Sequence, residues 1–291
     1  MTNLASLTAE YMALFRALES SRPVGSRLFV DSDAPLFLRG WRRWLHRLAT
    51  LPAGRQIAER LLDSASPGAR AAGVARTKWI DDEVTGALQT ARQLVLLGAG
   101  FDMRAVRLRS AAQARTFELD HPGTSDSKRA MLKSKRRKAP EGIRYIGIDF
   151  NSQSIAEVLL HAGFDNSRPA CLIWEGVTNY LTAEAVDRCL LQIGEVAANG
   201  SILLFTYIDH AVLDNPQNFF GARKLIERLR SYGEPWTFGF DPGELEPYLA
   251  MRRLKLLKDV SACDVWQRAG RSCAESRGYE FYRLASARVG S

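Results

Sequence analysis

The sequence predicts an α/β protein in which a mostly parallel sheet of seven strands is wound with helices and preceded by a helical piece. Three observations carry that expectation. From about residue 76 onward, short apolar runs alternate with helical segments, the pattern of βαβ units. Those runs are almost continuously apolar, as strands covered on both faces must be. The first 75 residues contain no such run and read as helices throughout.

At the front, Leu4, Leu7, Tyr11, Leu14, Phe15 and Leu18 recur at the three-and-four spacing of an amphipathic helix. Leu36-Phe37-Leu38 and Trp41-Arg42-Arg43-Trp44-Leu45 continue in that style, and Pro52-Ala53-Gly54 and Ser66-Pro67-Gly68 are breaks. Trp41 and Trp44 stand one turn apart, a spacing expected of core residues rather than of an aromatic acceptor pocket. The strands are predicted at residues 94–97, 116–119, 144–148, 171–174 and 202–207. Helices are expected at 155–161 and at 183–197, the second opening on Thr182 as N-cap and closing at Asn199-Gly200. A long excursion follows, with a charged helix at 221–231 and the aromatic stretch 236–240. Asp241-Pro242-Gly243-Glu244 resembles a capped helix start. Residues 253–260 and 279–288 are expected as an antiparallel, hairpin-like edge. The division predicted is a helical cap at 1–75 and an α/β domain at 76–291, with a lid-like insert at about 208–250.

Composition limits the function classes. The chain has 291 residues, 46% hydrophobic and 25% charged, which is ordinary for a folded protein. Charged residues interrupt its first 20 positions, and no apolar run approaches a membrane span, so a cytoplasmic protein without a membrane partner is expected. Cys171, Cys189, Cys263 and Cys273 form no Cys-x-x-Cys pair, so neither disulfides nor a metal site is indicated. The formal charge of +8 invites acidic partners. Its densest run, residues 128–138 (KRAMLKSKRRK), is expected to be a solvated face, with a phosphate-binding strip as the rival reading.

The first strand runs directly into Gly98-Ala99-Gly100, and glycines at the first βα turn let backbone approach a nucleotide-like ligand. An acid at the end of the second strand, Glu118 or Asp120, falls where a ribose is bound. Those features fit NAD and S-adenosylmethionine alike. A dinucleotide fingerprint expects a third glycine where Met103 stands. The third strand ends in Asp149-Phe150, an acceptor for an exocyclic amine beside a surface for a flat base. Glycines, acid and acid-apolar pair all fall at the carboxyl edge of one sheet, where open α/β folds bind ligands.

Several blocks resemble the S-adenosylmethionine-dependent methyltransferases related to leucine carboxyl methyltransferase and to bacterial polyketide O-methyltransferases. They read ARTKWIDD from Ala75, LLGAGFDMR from Leu96, FELDHP from Phe117, YIGIDF from Tyr145 and WEGVTNYLT from Trp174. The resemblance covers roughly residues 75 to 260, and the front 70 residues match no block. It implies a class I methyltransferase fold, Rossmann-like, that binds S-adenosyl-L-methionine. It further implies Arg76 on the methionine carboxylate, Asp120 on the ribose, Asp149 and Phe150 at the adenine, Glu175 near the methionyl amine, and Gly98 and Gly100 lining the floor. Structural alternatives stand beside these roles: Arg76 pairing with Asp81 or Asp82, and Glu175 serving only as an acid at a helix N-terminus.

The function expected is O-methylation of a carboxylate or hydroxyl on a small, polyketide-like molecule or a peptide. Tyr180, Tyr207 and His210 are candidates for a base, with a structural role as the alternative for each. Two rival functions are an NAD-dependent oxidoreductase and an RNA-binding or RNA-modifying protein, the second motivated by the positive charge. A non-binding scaffold is a third. No nucleophile elbow, His-x-x-x-His pair or phosphate loop is present.

Overall fold

The computed structural model describes residues 7–51, 53–134, 142–271 and 278–290. Helices α1 (Leu7–Ser20), α2 (Gly40–Ala49), α3 (Gly54–Ala65) and α4 (Ala69–Ala87) come first. The chain then alternates through β1 (Gln93–Leu97), α5 (Arg104–Arg107), β2 (Arg115–Asp120), α6 (Pro122–Ser134), β3 (Ile143–Gly147), α7 (Ile155–His161), β4 (Ala170–Trp174), α8 (Ala183–Val196) and β5 (Ile202–Ile208). It ends with α9 (Ala211–Asp214), α10 (Ala222–Ser231), α11 (Leu245–Ala250), β6 (Leu254–Ser261), α12 (Ala262–Arg268) and β7 (Tyr282–Val289).

The strands form one seven-stranded sheet in the order β3-β2-β1-β4-β5-β7-β6. β1 to β5 pair in parallel, and β7 runs antiparallel to both β5 and β6. The predicted hairpin edge is therefore two strands separated by α12, with β7 inserted between β5 and β6. Every residue of β1 and of β4 is buried, which explains their unbroken apolar sequence. Alternation along β1 sends Leu94 and Leu96 to one face and Val95 and Leu97 to the other. The first face belongs to the buried cluster to which α1, α2, α4 and α12 contribute, and the second to the cluster that includes α7, α8 and α11.

Local chemistry accounts for the clean helix starts. The Thr182 hydroxyl accepts from Ala185 N at 3.2 Å, and Ser261 and Asp264 form a capping box at α12. The predicted start at Asp241 is corrected. Asp241 Oδ1 accepts from Gly243 N at 2.8 Å and closes a local turn, so α11 begins only at Leu245.

Two further expectations are corrected. Trp41 and Trp44 are not core: their exposures are 50% and 62%, because Leu45 and Ala49 take the inward face of α2. The basic run is solvated at Arg129 and Lys133 but not at Lys128. Lys128 on α6 is buried, its Nζ 2.7 Å from Glu118 Oε2 and also donating to the Asp102 carbonyl. Residues 135–138 of that run, like Cys273, lie outside the described residues. No described helix is long and apolar enough to cross a membrane, and the described residues contain no cluster suited to a metal.

Candidate active site

The carboxyl ends of β1, β2, β3 and β4 open onto a cavity of about 660 Å³. β1 delivers the chain into Gly98 (φ +76°) and Gly100 (φ +46°), and the N–H groups of Gly98 and Ala99 both donate to the Leu119 carbonyl at 2.7 and 3.1 Å. The turn thereby folds over the end of β2. A Cβ on Gly98 would stand 2.2 Å from Val177 Cγ2, on backbone in the left-handed region. Gly98→Ala is accordingly expected to destabilise by more than the ~1–2 kcal/mol of left-handed strain alone. A melting curve no lower than wild type would contradict that.

Asp120, at the end of β2, faces the cavity, with Gly100 N donating to its Oδ2 at 2.5 Å and His121 N to its Oδ1 at 2.6 Å. Burial raises its pKa against those two bonds. Each carboxylate oxygen retains a lone pair for a further donor. Glu118, the other acid considered there, is committed to Lys128 and does not line the cavity. Phe150 is buried at the cavity wall. Asp149 also lines it, but its carboxylate accepts from Asn151 N at 2.9 Å and Ser152 Oγ at 3.1 Å, bonds that hold its pKa below the ordinary value.

Arg76 emerges from α4 and Glu175 from the end of β4, and they meet with Nε 2.5 Å from Oε1. Arg76 Nη1 also donates to Tyr282 OH at 2.6 Å. The alternative pairing of Arg76 does not occur: Asp81 takes Arg104 and Arg107, and Asp82 takes Lys78. Glu175 is not merely a helix-end acid, since Arg104 donates to its other oxygen.

Arg104 is the centre that sequence reading left without a role. Its guanidinium, 2% exposed, reaches Asp81 at 2.7 Å, Asp102 at 2.5 Å and Glu175. Arg107 continues to Asp31, and Asp31 to Arg16, which donates to the Phe101 carbonyl at 2.7 Å. Four arginines (16, 76, 104, 107) thus interleave with four carboxylates (31, 81, 102, 175), so the buried charges balance. Burial disfavours the charged forms, yet Arg104, Arg16 and Arg107 bring Asp102 down to about 2. Arg104 and Arg76 likewise outweigh burial and hold Glu175 below the ordinary carboxylate value. The sequence signal for this network was charge at positions whose neighbours are apolar, in the string Asp102-Met103-Arg104 and on α4.

Of the three base candidates, Tyr180 lines the cavity, and burial pushes its pKa up to about 12. Tyr207 points to the opposite side, its hydroxyl 2.7 Å from Asp259 Oδ2, and His210 is exposed at 3.7 Å from Asp214. Neither lines the cavity. Aromatic residues that no motif indicated do: Tyr11 from α1, Tyr232 and Trp236 from the insert, Tyr279 just before β7 and Tyr282 at its start. The Tyr279 hydroxyl and Asn179 Oδ1 are buried there without a hydrogen-bond partner.

A seven-stranded sheet of this order, with a glycine turn after β1, an acid after β2 and a cavity along their carboxyl edge, defines the class I methyltransferase fold. Residues 9–194 match the leucine carboxyl methyltransferase family. The chain belongs to that family of S-adenosylmethionine-dependent methyltransferases. The match starts within α1, so it includes front helices that no sequence block reached, and it stops at the end of α8. A Streptomyces coelicolor protein named as an S-adenosyl-L-methionine-dependent methyltransferase is 33% identical over 229 residues, 78% of this chain and 73% of that one. A Parafrankia protein of the same description is 34% identical over 67% of this chain and 61% of its own length. A crystal structure from Thermobifida fusca, named as a methyltransferase, aligns with a TM-score of 0.60 at 20% identity, covering 94% of this chain and 97% of that one. A DUF574 family protein from Streptomyces avermitilis aligns at 0.58 and 15%, covering 93% and 99%. These two likenesses show the fold.

Proposed function

We propose that the protein transfers a methyl group to an ionised oxygen, a carboxylate or an acidic hydroxyl, on a small and largely apolar molecule. The observation carrying this reading is the composition of the far end of the cavity. The part of the wall that α1 and the insert supply consists of Tyr11, Tyr232, Trp236, aliphatic side chains, Arg16 and Arg228, and its acid among the described residues is Glu234. Tyr180 keeps its proton at neutral pH because burial holds it at about 12. Glu234, the carboxylate at that end, is engaged by the start of α1, accepting from Leu7 N at 2.9 Å and from Thr8 Oγ1 at 2.7 Å. An acceptor that ionises unaided needs no base, whereas an alcohol does. Arg228 lines the same end and adds a positive field for an anion.

S-adenosylmethionine supplies an electrophilic methyl group when bound. Asp120, Phe150 and the Gly98–Gly100 turn hold its nucleoside part in this reading, and Arg76 and Glu175 hold the zwitterionic end. The residues present fit such a ligand, because Asp120 retains acceptor capacity and the glycine turn leaves no side chain between backbone and cavity. Asp149 is assigned the adenine edge, for which its carboxylate turns away from Asn151. The protein's part is then to orient the acceptor, through Asn179, Tyr180 and Tyr279, and to exclude water. Tyr207 and His210 have no part in it.

The test is transfer of labelled methyl from S-adenosylmethionine into small molecules of a bacterial extract, followed by mild alkali. Release of the label as methanol is expected for a carboxylate, and an alkali-stable ether for an acidic hydroxyl. Label confined to nitrogen or carbon would refute O-methylation. Binding of NADH in place of S-adenosylhomocysteine would support the oxidoreductase alternative.

A further inference from the structure

A second basic segment stands apart from the run at 128–138, which itself carries seven basic residues and no acid. Residues 39–65, comprising α2, α3 and their connection, carry Arg39, Arg42, Arg43, Arg47, Arg55 and Arg60 against Glu59 and Asp63, a net 6 − 2 = +4, and of these Arg39 and Arg42 also face Glu10 of α1 at 3.9 and 3.6 Å. Both acids are directed inward, Glu59 to Arg22 at 2.7 Å and Asp63 to Arg70 at 2.6 Å. Arg47 and Arg60 are exposed and form no ion pair among the described residues. The outward face is also apolar where a solvent-facing helix is ordinarily polar. Leu45, Ala58 and Leu62 fill the inward side, yet Trp41 (50%), Trp44 (62%), Leu51 (57%), Ile57 (50%) and Leu61 (54%) are exposed. The exposed residues follow helical spacing, with Trp44 and Arg47 on α2 and Ile57, Arg60 and Leu61 on α3.

We propose that the α2–α3 pair docks on the surface of an anionic lipid bilayer. Tryptophan and aliphatic groups on one face interleaved with arginine match an interfacial helix, the apolar groups entering the acyl boundary and the guanidinium groups reaching phosphates. Each arginine near such a surface adds attraction that salt weakens. Charge argues against a second copy on the same face, because an isologous contact would oppose two patches of the same sign. Nucleic acid would use the arginines and tryptophans but gives no reason for the exposed leucines and isoleucine. The face lies next to the cavity wall: the Tyr11 ring, which lines the cavity, is 6.0 Å from Trp41 and 6.0 Å from Tyr232. The expectation of no membrane partner rested on the absence of a spanning segment, a test blind to surface binding.

The experiment is flotation of the full chain with vesicles of phosphatidylcholine alone and with 30% phosphatidylglycerol. At least tenfold tighter binding to the anionic vesicles is expected, falling at least fivefold between 0.1 and 0.5 M salt, an effect size set by surface charge attraction. Tryptophan fluorescence should be quenched by brominated lipid. Trp44→Gln with Arg47→Gln, and separately Ile57→Ser with Leu61→Ser, should each reduce vesicle binding about tenfold while S-adenosylhomocysteine binding stays at the wild-type value. Equal binding to neutral vesicles, no binding at all, or unchanged binding of both variants would overturn the proposal. So would a dimer in sedimentation that the same substitutions dissociate, or retention on RNA in place of vesicles.

Discussion

Arg104→Met is expected to lower stability by about 3–5 kcal/mol, because it removes one cation from a buried network and leaves Asp81, Asp102 and Glu175 short of their common partner. Against a total stability of ~5–15 kcal/mol, that is enough to leave a marginal protein partly unfolded at 37 °C. Denaturant titration of wild type and variant checks it, and a shift below about 1 kcal/mol would show the network to be dispensable. The variant also separates two contributions to acid stability. Asp102 titrates at about 2 in the folded chain against its ordinary 3.8. A depressed carboxylate stabilises above its unfolded pKa, and that contribution disappears as the pH falls through the folded value. Wild-type stability should therefore decline between about pH 4 and pH 2. The decline should be shallower in Arg104→Met, whose Asp102 has lost the largest cause of its depression.

Asp120→Ala is the second large effect, expected on ligand binding with the fold retained. The carboxylate joins the two halves of the binding edge, accepting from Gly100 on the β1 turn and His121 after β2. Hydrogen bonds to a charged group contribute roughly 1.5–3 kcal/mol each, so losing those to a ribose and loosening the turn should weaken S-adenosylhomocysteine binding at least about a hundredfold. Calorimetry checks it, with circular dichroism as the control for folding. Unchanged affinity in a folded variant would remove Asp120 from the site. Because burial raises the pKa of Asp120, binding should also begin to weaken on acidification at a higher pH than an ordinary carboxylate implies.

Legibility differed by element for physical reasons. The first, second, fourth and fifth strands agree with β1, β2, β4 and β5 to within a residue at most ends, because each is a short apolar run between polar turns. Thr182 and its helix were equally plain, since a cap is a local hydrogen bond. Local rules misled at Asp241, where a capping pattern closes a turn instead, and at Trp41 and Trp44, where apolar spacing was equated with burial. Spacing shows which residues share a helix face, but only the neighbouring elements decide whether that face is covered.

The same division runs through the cavity. Gly98, Gly100, Asp120, Phe150 and Glu175 line it, as expected of residues placed by strand ends, whose position along one sheet edge follows from strand order, and Arg76 reaches it from α4. What the sequence determined by itself was the succession of strands and helices, the glycine turn, and the acids that follow the strands, because those depend on residues close in the chain. The tertiary structure alone decided that Arg104 is the hub of eight buried charges drawn from as far apart as Arg16 and Glu175. It also decided that Tyr180 and Tyr279 line the cavity while Tyr207 does not, and that α2 and α3 expose apolar side chains beside Arg47 and Arg60. Those facts concern which surfaces meet across the fold, and burial changes the energy of a charge or a hydroxyl far more than its neighbours in sequence do.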